Sequence, residues 1–166
     1  MKHKYKSRIA SIVNQKNRFG AFSNKIKPIS YYTLLLKLEH KESFNLFIGG
    51  SWCKNCRAIM PELVEVLENK ESIYLLDPRP FRRKRPYTDI RKCLTKNTEQ
   101  MMLNISNHLC LDTSKRENGS YALRVPFIVR IDDGMGHNYF SEEYIKEEMT
   151  PEISNQVKSQ LERVLK

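Results

Sequence analysis

The stretch GGSWCKNCRAIMPELVEVLE, residues 49–68, decides the fold, because it places Cys53 and Cys56 two residues apart at the start of a helical pattern. That pattern is an apolar stripe at positions Ile59, Leu63, Val66 and Leu67. A pair of cysteines at this spacing fits a redox couple, half of a zinc site or two buried thiols. The elements around the pair decide between these chemistries.

Short apolar runs on both sides of this helix predict buried strands. SFNLFIGG, residues 43–50, leads into the cysteines, and SIYLLDP, residues 72–78, follows the helix. Further upstream, NKIKPIS, residues 24–30, predicts a short edge strand, because Pro28 excludes a central one. Ser30 then caps a predicted helix whose apolar face holds Tyr31, Leu34, Leu35 and Leu38.

The last third of the chain predicts a hairpin and a closing helix. YALRVPFIVRI, residues 121–131, reads as a strand, DDGMG as a turn, and HNYFS, residues 137–141, as the returning strand. Thr150 caps a helix that runs to residue 166. Strands that alternate with helices imply a parallel core, to which the hairpin adds antiparallel strands. We therefore predict an α/β fold, with a central mixed sheet flanked by helices and the cysteines at the carboxyl end of a central strand.

With these elements in place, the chain resembles the thioredoxin superfamily. Trp52 precedes the first cysteine, Pro61 stands five residues after the second, and RVPFIVRI places Pro126 at the start of a strand. In that superfamily the first proline kinks the active-site helix and the second is cis. The resemblance covers about residues 25–166 and implies a thioredoxin-like fold. The chain also resembles, more specifically, small Gram-positive bacteriocin transport accessory-type proteins. This likeness rests on the segment KESFNLFIGG, which is followed closely by a CxxCR motif.

The position of the pair predicts its chemistry. A helix N-terminus stabilises a thiolate, so Cys53 is expected to attack a disulfide and Cys56 to resolve the mixed disulfide. The resemblance implies a thiol–disulfide oxidoreductase of cell redox homeostasis, acting on a protein or peptide, with a reductase as a further partner. It implies no cofactor and no metal. The supporting site residues are then Trp52, Lys54, Asn55, Val125 and Pro126.

Two positions depart from the thioredoxin pattern. Thioredoxins carry a buried acid six residues before the first cysteine, which relays a proton to the resolving thiol, and here that position is Phe47. The residues between the cysteines are Lys54 and Asn55 instead of Gly and Pro, so the sequence does not predict whether the couple reduces, oxidises or isomerises. The alternative is a non-catalytic adaptor with the same fold, which binds an anionic partner.

Two further cysteines leave other chemistries open. A structural zinc site needs four ligands, which Cys93 and Cys110 would complete with the first pair, or with His108 as a substitute. If the segment that contains them is a helical hairpin turning near residues 95–98, the two cysteines differ by about 15 Å in height, at about 1.5 Å per residue. That exceeds the reach of a disulfide. We therefore predict that Cys93 and Cys110 are unbridged core residues.

The positive charge divides the chain into a body and two appendages. The 166 residues suit one domain, and the formal net charge is +10. Residues 1–28 hold eight Lys or Arg and no acid, and residues 79–92 hold seven basic residues and one acid. We predict a basic flexible arm over residues 1–24 and a thioredoxin-like domain over residues 25–166, which contains a helical basic insert at about residues 78–120.

The basic appendages have two interpretations. They serve solubility, or they bind an anionic partner through Arg82, Arg83, Lys84 and Arg85. No apolar run approaches the ~18 residues of a membrane span. The basic start lacks the apolar segment of a signal peptide, which favours the cytoplasm, where four cysteines are more often catalytic, metal-binding or reduced than bridged.

Overall fold

The computed structural model describes residues 19–77, 114–115, 121–122, 125–141, 145 and 149–166. The helices of this part of the chain are α1 Tyr31–Glu39, α2 Lys54–Ala58, α3 Met60–Leu67 and α4 Pro151–Val164. The strands are β1 Ile26–Pro28, β2 Phe44–Ile48, β3 Ile73–Leu76, β4 Ser114–Lys115, β5 Tyr121–Ala122, β6 Phe127–Asp132 and β7 Met135–Ser141.

Five strands form one mixed sheet in the order β1-β3-β2-β6-β7. The first three are parallel, β6 runs antiparallel to β2, and β7 runs antiparallel to β6. This confirms the predicted fold class, since the order and direction of these strands are those of the thioredoxin fold. The strand that contains Pro28 lies at an edge, where its missing N–H group breaks no ladder.

The central strand β2 is buried on both faces, which explains its apolar run. Phe47 belongs to the core under α2, α3 and α4, whereas Phe44, Leu46 and Ile48 pack on the α1 side. Because successive side chains of a strand point to opposite faces, one run of sequence fills both cores. The sheet therefore holds the loop after Ile48 in a fixed position.

The helix predicted after Cys53 is interrupted. It ends at Ala58, and a second helix starts at Met60 with Pro61 in its first turn. Pro61 has no N–H group for the carbonyl of Arg57, four residues earlier, so the helical hydrogen-bond ladder breaks at that point. The cysteines consequently lie on a short helix, α2, that ends shortly before the proline.

The strand predicted over residues 121–131 is also divided, and in this respect the prediction is wrong. Tyr121–Ala122 pairs with Ser114–Lys115 in a separate two-stranded sheet, and β6 begins only at Phe127. Pro126 cannot donate to a ladder, so the sheet strand starts directly after it. β4 also falls within the insert that was predicted to be helical.

The hairpin turn between β6 and β7 is confirmed. Asp133 and Gly134 both have positive φ, 53° and 76°, as a two-residue hairpin turn requires. A Cβ atom on Gly134 would lie 2.5 Å from the carbonyl oxygen of Leu38, so the turn packs tightly on the end of α1. Glycine is required there by both conformation and space.

The amino-terminal part of the described chain contributes to the core. Phe19 is 4% exposed, and Ala21 and Phe22 pack against the same cluster. The packed domain therefore includes residues upstream of position 25. Residues 1–18 and the predicted helical part of the insert lie outside the described residues. None of the helices in the described ranges is both long and apolar enough to cross a membrane.

Candidate active site

The cysteine pair lies after the end of β2, at the start of α2. Cys53 has an extended backbone and occupies the N-cap position, and its Sγ accepts a hydrogen bond from the main-chain N–H of Cys56 at 3.1 Å. A sulfur in this position satisfies one of the unpaired N–H groups of the helix start and gains from its positive partial charge. Negative charge at Cys53 is therefore stabilised by the backbone itself.

The two sulfurs occupy different environments. Cys53 is half-buried, whereas Cys56 is fully buried. The pKa of the Cys56 thiol lies far above its usual range. Its hydrogen bond with Cys53 is the largest cause, followed by burial and then by the charge of Cys53. Main-chain hydrogen bonds from Gly50 and from Cys56 itself oppose this rise. Cys56 is consequently the sulfur that keeps its proton, and Cys53 is the accessible one.

A proline-containing loop lies against the accessible sulfur. The Val125–Pro126 peptide bond is cis, and the Cys53 thiol is 3.6 Å from the carbonyl oxygen of Val125, to which it can donate. Pro126 is buried and Val125 is half-buried. Residues that are 72 positions apart in sequence thus form one side of the site.

The indole of Trp52 forms another side. Its Nε1 donates to the Asp77 carboxylate at 3.0 Å, at the end of β3. A Cβ atom on Gly50 would collide with the indole nitrogen and lie 3.0 Å from Asp77 Oδ2, so glycine lets the two groups meet. The sequence reasoning missed Asp77, although an acid that ends a buried strand beside the cysteine strand was a usable signal.

The phenyl ring of Phe47 lies beside the buried thiol of Cys56. Both Phe47 and Cys56 are fully buried. A Cβ atom on Gly49 would lie 2.7 Å from Phe47 Cε2 and 2.8 Å from Cys56 Sγ, so the ring and the sulfur approach the same point from two sides. This position therefore offers no carboxylate to take the proton of Cys56.

The remaining polar residues lie on the outer surface of α2. Lys54 is exposed and Asn55 is half-buried between the two cysteines. Arg57, which is also exposed, donates through Nη1 to the carbonyl oxygen of Ser51 at 2.8 Å. Arg57 was not selected from the sequence, although it directly follows the second cysteine.

The residues of the zinc alternative are not brought together within the described part of the chain. Cys93, Cys110 and His108 lie outside it, as do Arg82, Arg83, Lys84 and Arg85 of the basic insert. Among the described residues, no group of three or more His, Cys, Asp or Glu side chains could hold a metal ion. The absence of a Cys93–Cys110 bridge and the anionic partner of the insert stay predictions.

Comparison with known proteins finds matches among solved structures alone. No protein-family model and no curated protein matches the chain. Eight solved chains match, among them thioredoxin O1 from Arabidopsis thaliana in its oxidized state, with 15% sequence identity and a TM-score of 0.44 over 86% of this chain and 100% of that one. The assignment of a thioredoxin-like fold therefore rests on strand order and direction. The likeness to bacteriocin transport accessory-type proteins stays a prediction.

Proposed function

We propose that this protein is a thiol–disulfide oxidoreductase that acts on a protein or peptide disulfide through Cys53 and Cys56. The observation that carries the proposal is the asymmetry of the pair. Cys53 is accessible and accepts a hydrogen bond at the helix start, whereas Cys56 is buried with a raised pKa. One sulfur is thus suited to attack the substrate disulfide, and the other is suited to attack the mixed disulfide that results.

The reaction consists of two exchanges. The Cys53 thiolate attacks one sulfur of the substrate disulfide, the substrate S–S bond breaks, and one substrate thiolate leaves with its electron pair. Cys56 then loses its proton and attacks Cys53 Sγ, which releases the second substrate thiolate and leaves a Cys53–Cys56 disulfide. Two electrons pass from the protein to the substrate, and the protons of the two protein thiols balance the two thiolates released.

The loop at Val125 is the proposed contact for the substrate chain. The carbonyl oxygen of Val125 lies beside Cys53 Sγ, and Pro126 has no N–H group of its own. An extended segment on either side of the substrate cysteine would pair with the main chain here. The contact suits a peptide or protein, which has a backbone to offer, better than a small disulfide.

The second exchange is proposed to be the slower one. Cys56 must lose a proton, and the fully buried residue at position 47 is a phenylalanine, which cannot accept it. The proton must leave through solvent or through the substrate. A mixed disulfide on Cys53 should therefore persist longer than in a site that has a buried base.

Insulin reduction with dithiothreitol as the reductant tests the proposal. The wild type should accelerate the reaction, and Cys53→Ser should reduce it to the uncatalysed rate. Cys56→Ser is the matched control: it retains the attacking sulfur, and when it is mixed with insulin without dithiothreitol it should accumulate a substrate adduct visible by mass spectrometry. Equal rates for the wild type and Cys53→Ser, with insulin and with a small disulfide alike, would overturn the proposal.

The adaptor alternative makes the opposite prediction about the cysteines. Capture of an anionic partner through Arg82, Arg83, Lys84 and Arg85 would survive Cys53→Ser and be lost when these four residues are neutralised. A cytoplasmic location is also part of the proposal, and it rests on the sequence alone.

A further inference from the structure

The outer surface of the cysteine helix carries two positive charges and no negative one. Residues 49–58 contain Lys54 and Arg57 and no acid, and both side chains are exposed. Within the described part of the chain, neither takes part in an ion pair. At the opposite end of the sheet, by contrast, Arg130 is paired with Glu71 and Asp132.

Helix stability does not explain Lys54. It is the first residue of α2, and the first turn of this helix contains no acid. A cation in the first turn faces the positive end of the helix dipole and is unfavourable there. The helix dipole therefore gives no reason for a cation at this position, which leaves Lys54 available to groups that approach Cys53.

Arg57 is held toward the same side of the site. Its bond to the carbonyl oxygen of Ser51 draws the guanidinium back toward the turn that precedes Trp52 and Cys53. An arginine has five N–H donors in a rigid fork, of which this bond uses one. Its other donors remain available to a carboxylate, with the side chain already partly ordered.

The acid near this surface is Asp77, and it is already bound. Its Oδ1 accepts from Trp52 Nε1 at 3.0 Å. It makes no ion pair with Lys54 or Arg57 in the described residues. Lys54 and Arg57 therefore remain available to a negative charge on an incoming peptide.

We propose that the redox site selects peptide disulfides whose cysteines are flanked by carboxylate side chains, which Lys54 and Arg57 recognise. This inference rests on the proposed function and names its substrate class. The carboxylates pair with the two cations while Cys53 attacks the disulfide. The same cations offset the charge repulsion between the acidic segment and the Cys53 thiolate, and they repel segments rich in lysine or arginine.

Three peptide disulfides provide the test. Each is a symmetrical dimer of one cysteine peptide, with two Glu, two Gln or two Lys residues flanking the cysteine. Pre-reduced protein is mixed with each peptide in a single turnover, which needs no further reductant. Formation of the protein disulfide is followed through the fluorescence of Trp52, the single tryptophan of the chain, which directly precedes Cys53. Release of peptide thiol is measured in parallel.

We expect the Glu peptide to react fastest and the Lys peptide slowest, and we expect high salt to remove this difference in rate. Charges several ångströms apart in water each change an association rate by about two- to threefold. Two cations should therefore raise the rate of the Glu peptide and lower that of the Lys peptide by about fivefold each relative to the Gln peptide, a ratio of about 25-fold at low ionic strength. At 1 M salt the Debye length falls to about 3 Å, and the ratio should fall within about twofold. The ratio is taken on one protein, so changes in the reactivity of Cys53 cancel.

Matched variants locate the effect. Lys54→Gln combined with Arg57→Gln should bring the Glu and Lys peptides to equal rates, whereas Arg57→Lys, which keeps the charge, should retain most of the ranking. Lys27→Gln, on the exposed edge strand β1, is the control and should change nothing. Equal rates for all three peptides on the wild type would overturn the charge preference and leave the redox proposal standing. No reaction with any peptide would instead count against the redox proposal itself.

Discussion

Gly49→Ala tests the packing that encloses the resolving thiol. Gly49 follows β2 and is buried, and its φ is not positive, so alanine meets no conformational penalty there. The new Cβ atom would lie 2.7 Å from Phe47 Cε2 and 2.8 Å from Cys56 Sγ. Both neighbours are fully buried and have no open side toward which to retreat.

The size of the effect follows from two opposing contributions. Overpacking in a core costs about 1–3 kcal/mol in the free energy of unfolding. The loss of glycine flexibility in the unfolded chain returns about 0.4–1 kcal/mol. We expect a net destabilisation of about 1–2 kcal/mol, which for a chain of this length lowers the Tm by roughly 2–8 °C.

Urea unfolding of the reduced protein measures this change, and a double-mutant cycle shows whether the ring causes it. Phe47→Leu removes ring atoms from the contact, so the cost of Gly49→Ala should fall by about 1 kcal/mol or more in that background. A wild-type midpoint for Gly49→Ala, or an equal cost in both backgrounds, would falsify the close approach of ring and sulfur.

Three further predictions concern ionisation and helix ends. Its hydrogen bond with Cys53 and burial raise the pKa of Cys56, and burial persists when Cys53 is held in a mixed disulfide. Release of substrate from that mixed disulfide should therefore still accelerate by about tenfold per pH unit above about pH 9, where an ordinary thiol levels off; stopped-flow kinetics with a plateau there would contradict this. The hydrogen bond from Arg130 lowers the pKa of Asp132. The ionised Asp132 therefore stabilises the fold above its unfolded pKa of about 3.9, and this stabilisation is lost as the pH falls. In a plot of the urea midpoint against pH, Asp132→Asn should make the decline at acid pH less steep. Lys25 Nζ donates to three main-chain carbonyls at the end of α3, at 2.8–2.9 Å. Lys25→Met should lower the free energy of unfolding in urea by about 1–3 kcal/mol. A similar loss on replacing a surface lysine would refute a specific cap.

The fold was predictable because its strong signals are local. The run at residues 44–48 is buried on both faces of the sheet, and such continuous apolar runs are typical of central strands. Ser30 and Thr150 both cap their helices as the sequence indicates. Each of these features depends on residues within a few positions of one another.

The errors arose where backbone chemistry at prolines decides the structure. Residues 121–131 have an unbroken strand-like composition, yet the ladder of β6 starts only after Pro126. The apolar stripe after Cys53 also continues across Pro61, where the thioredoxin resemblance, and not the stripe, predicted a kink. Side-chain periodicity records which face is apolar and does not record the absence of an N–H group.

The site was predictable only in part, because its geometry depends on contacts between distant residues. The pair Cys53 and Cys56 is a local motif, whereas the bond from Trp52 to Asp77 joins residues 25 positions apart. Such a contact follows from the sheet order, in which β3 lies beside β2, and that order becomes certain only with the structure. Arg57 was missed for another reason, since an exposed arginine looks like a solubilising residue until its bond to Ser51 is seen.

The substitution at Phe47 has a more specific meaning in the structure than in the sequence. In the sequence, Phe47 marks only a departure from the thioredoxin pattern that the chain resembles. The structure adds that the ring and Cys56 Sγ meet across Gly49, in a space where a single added carbon has no room. Position 47 therefore offers Cys56 no proton acceptor, which is why the proposed second exchange is expected to be the slower one.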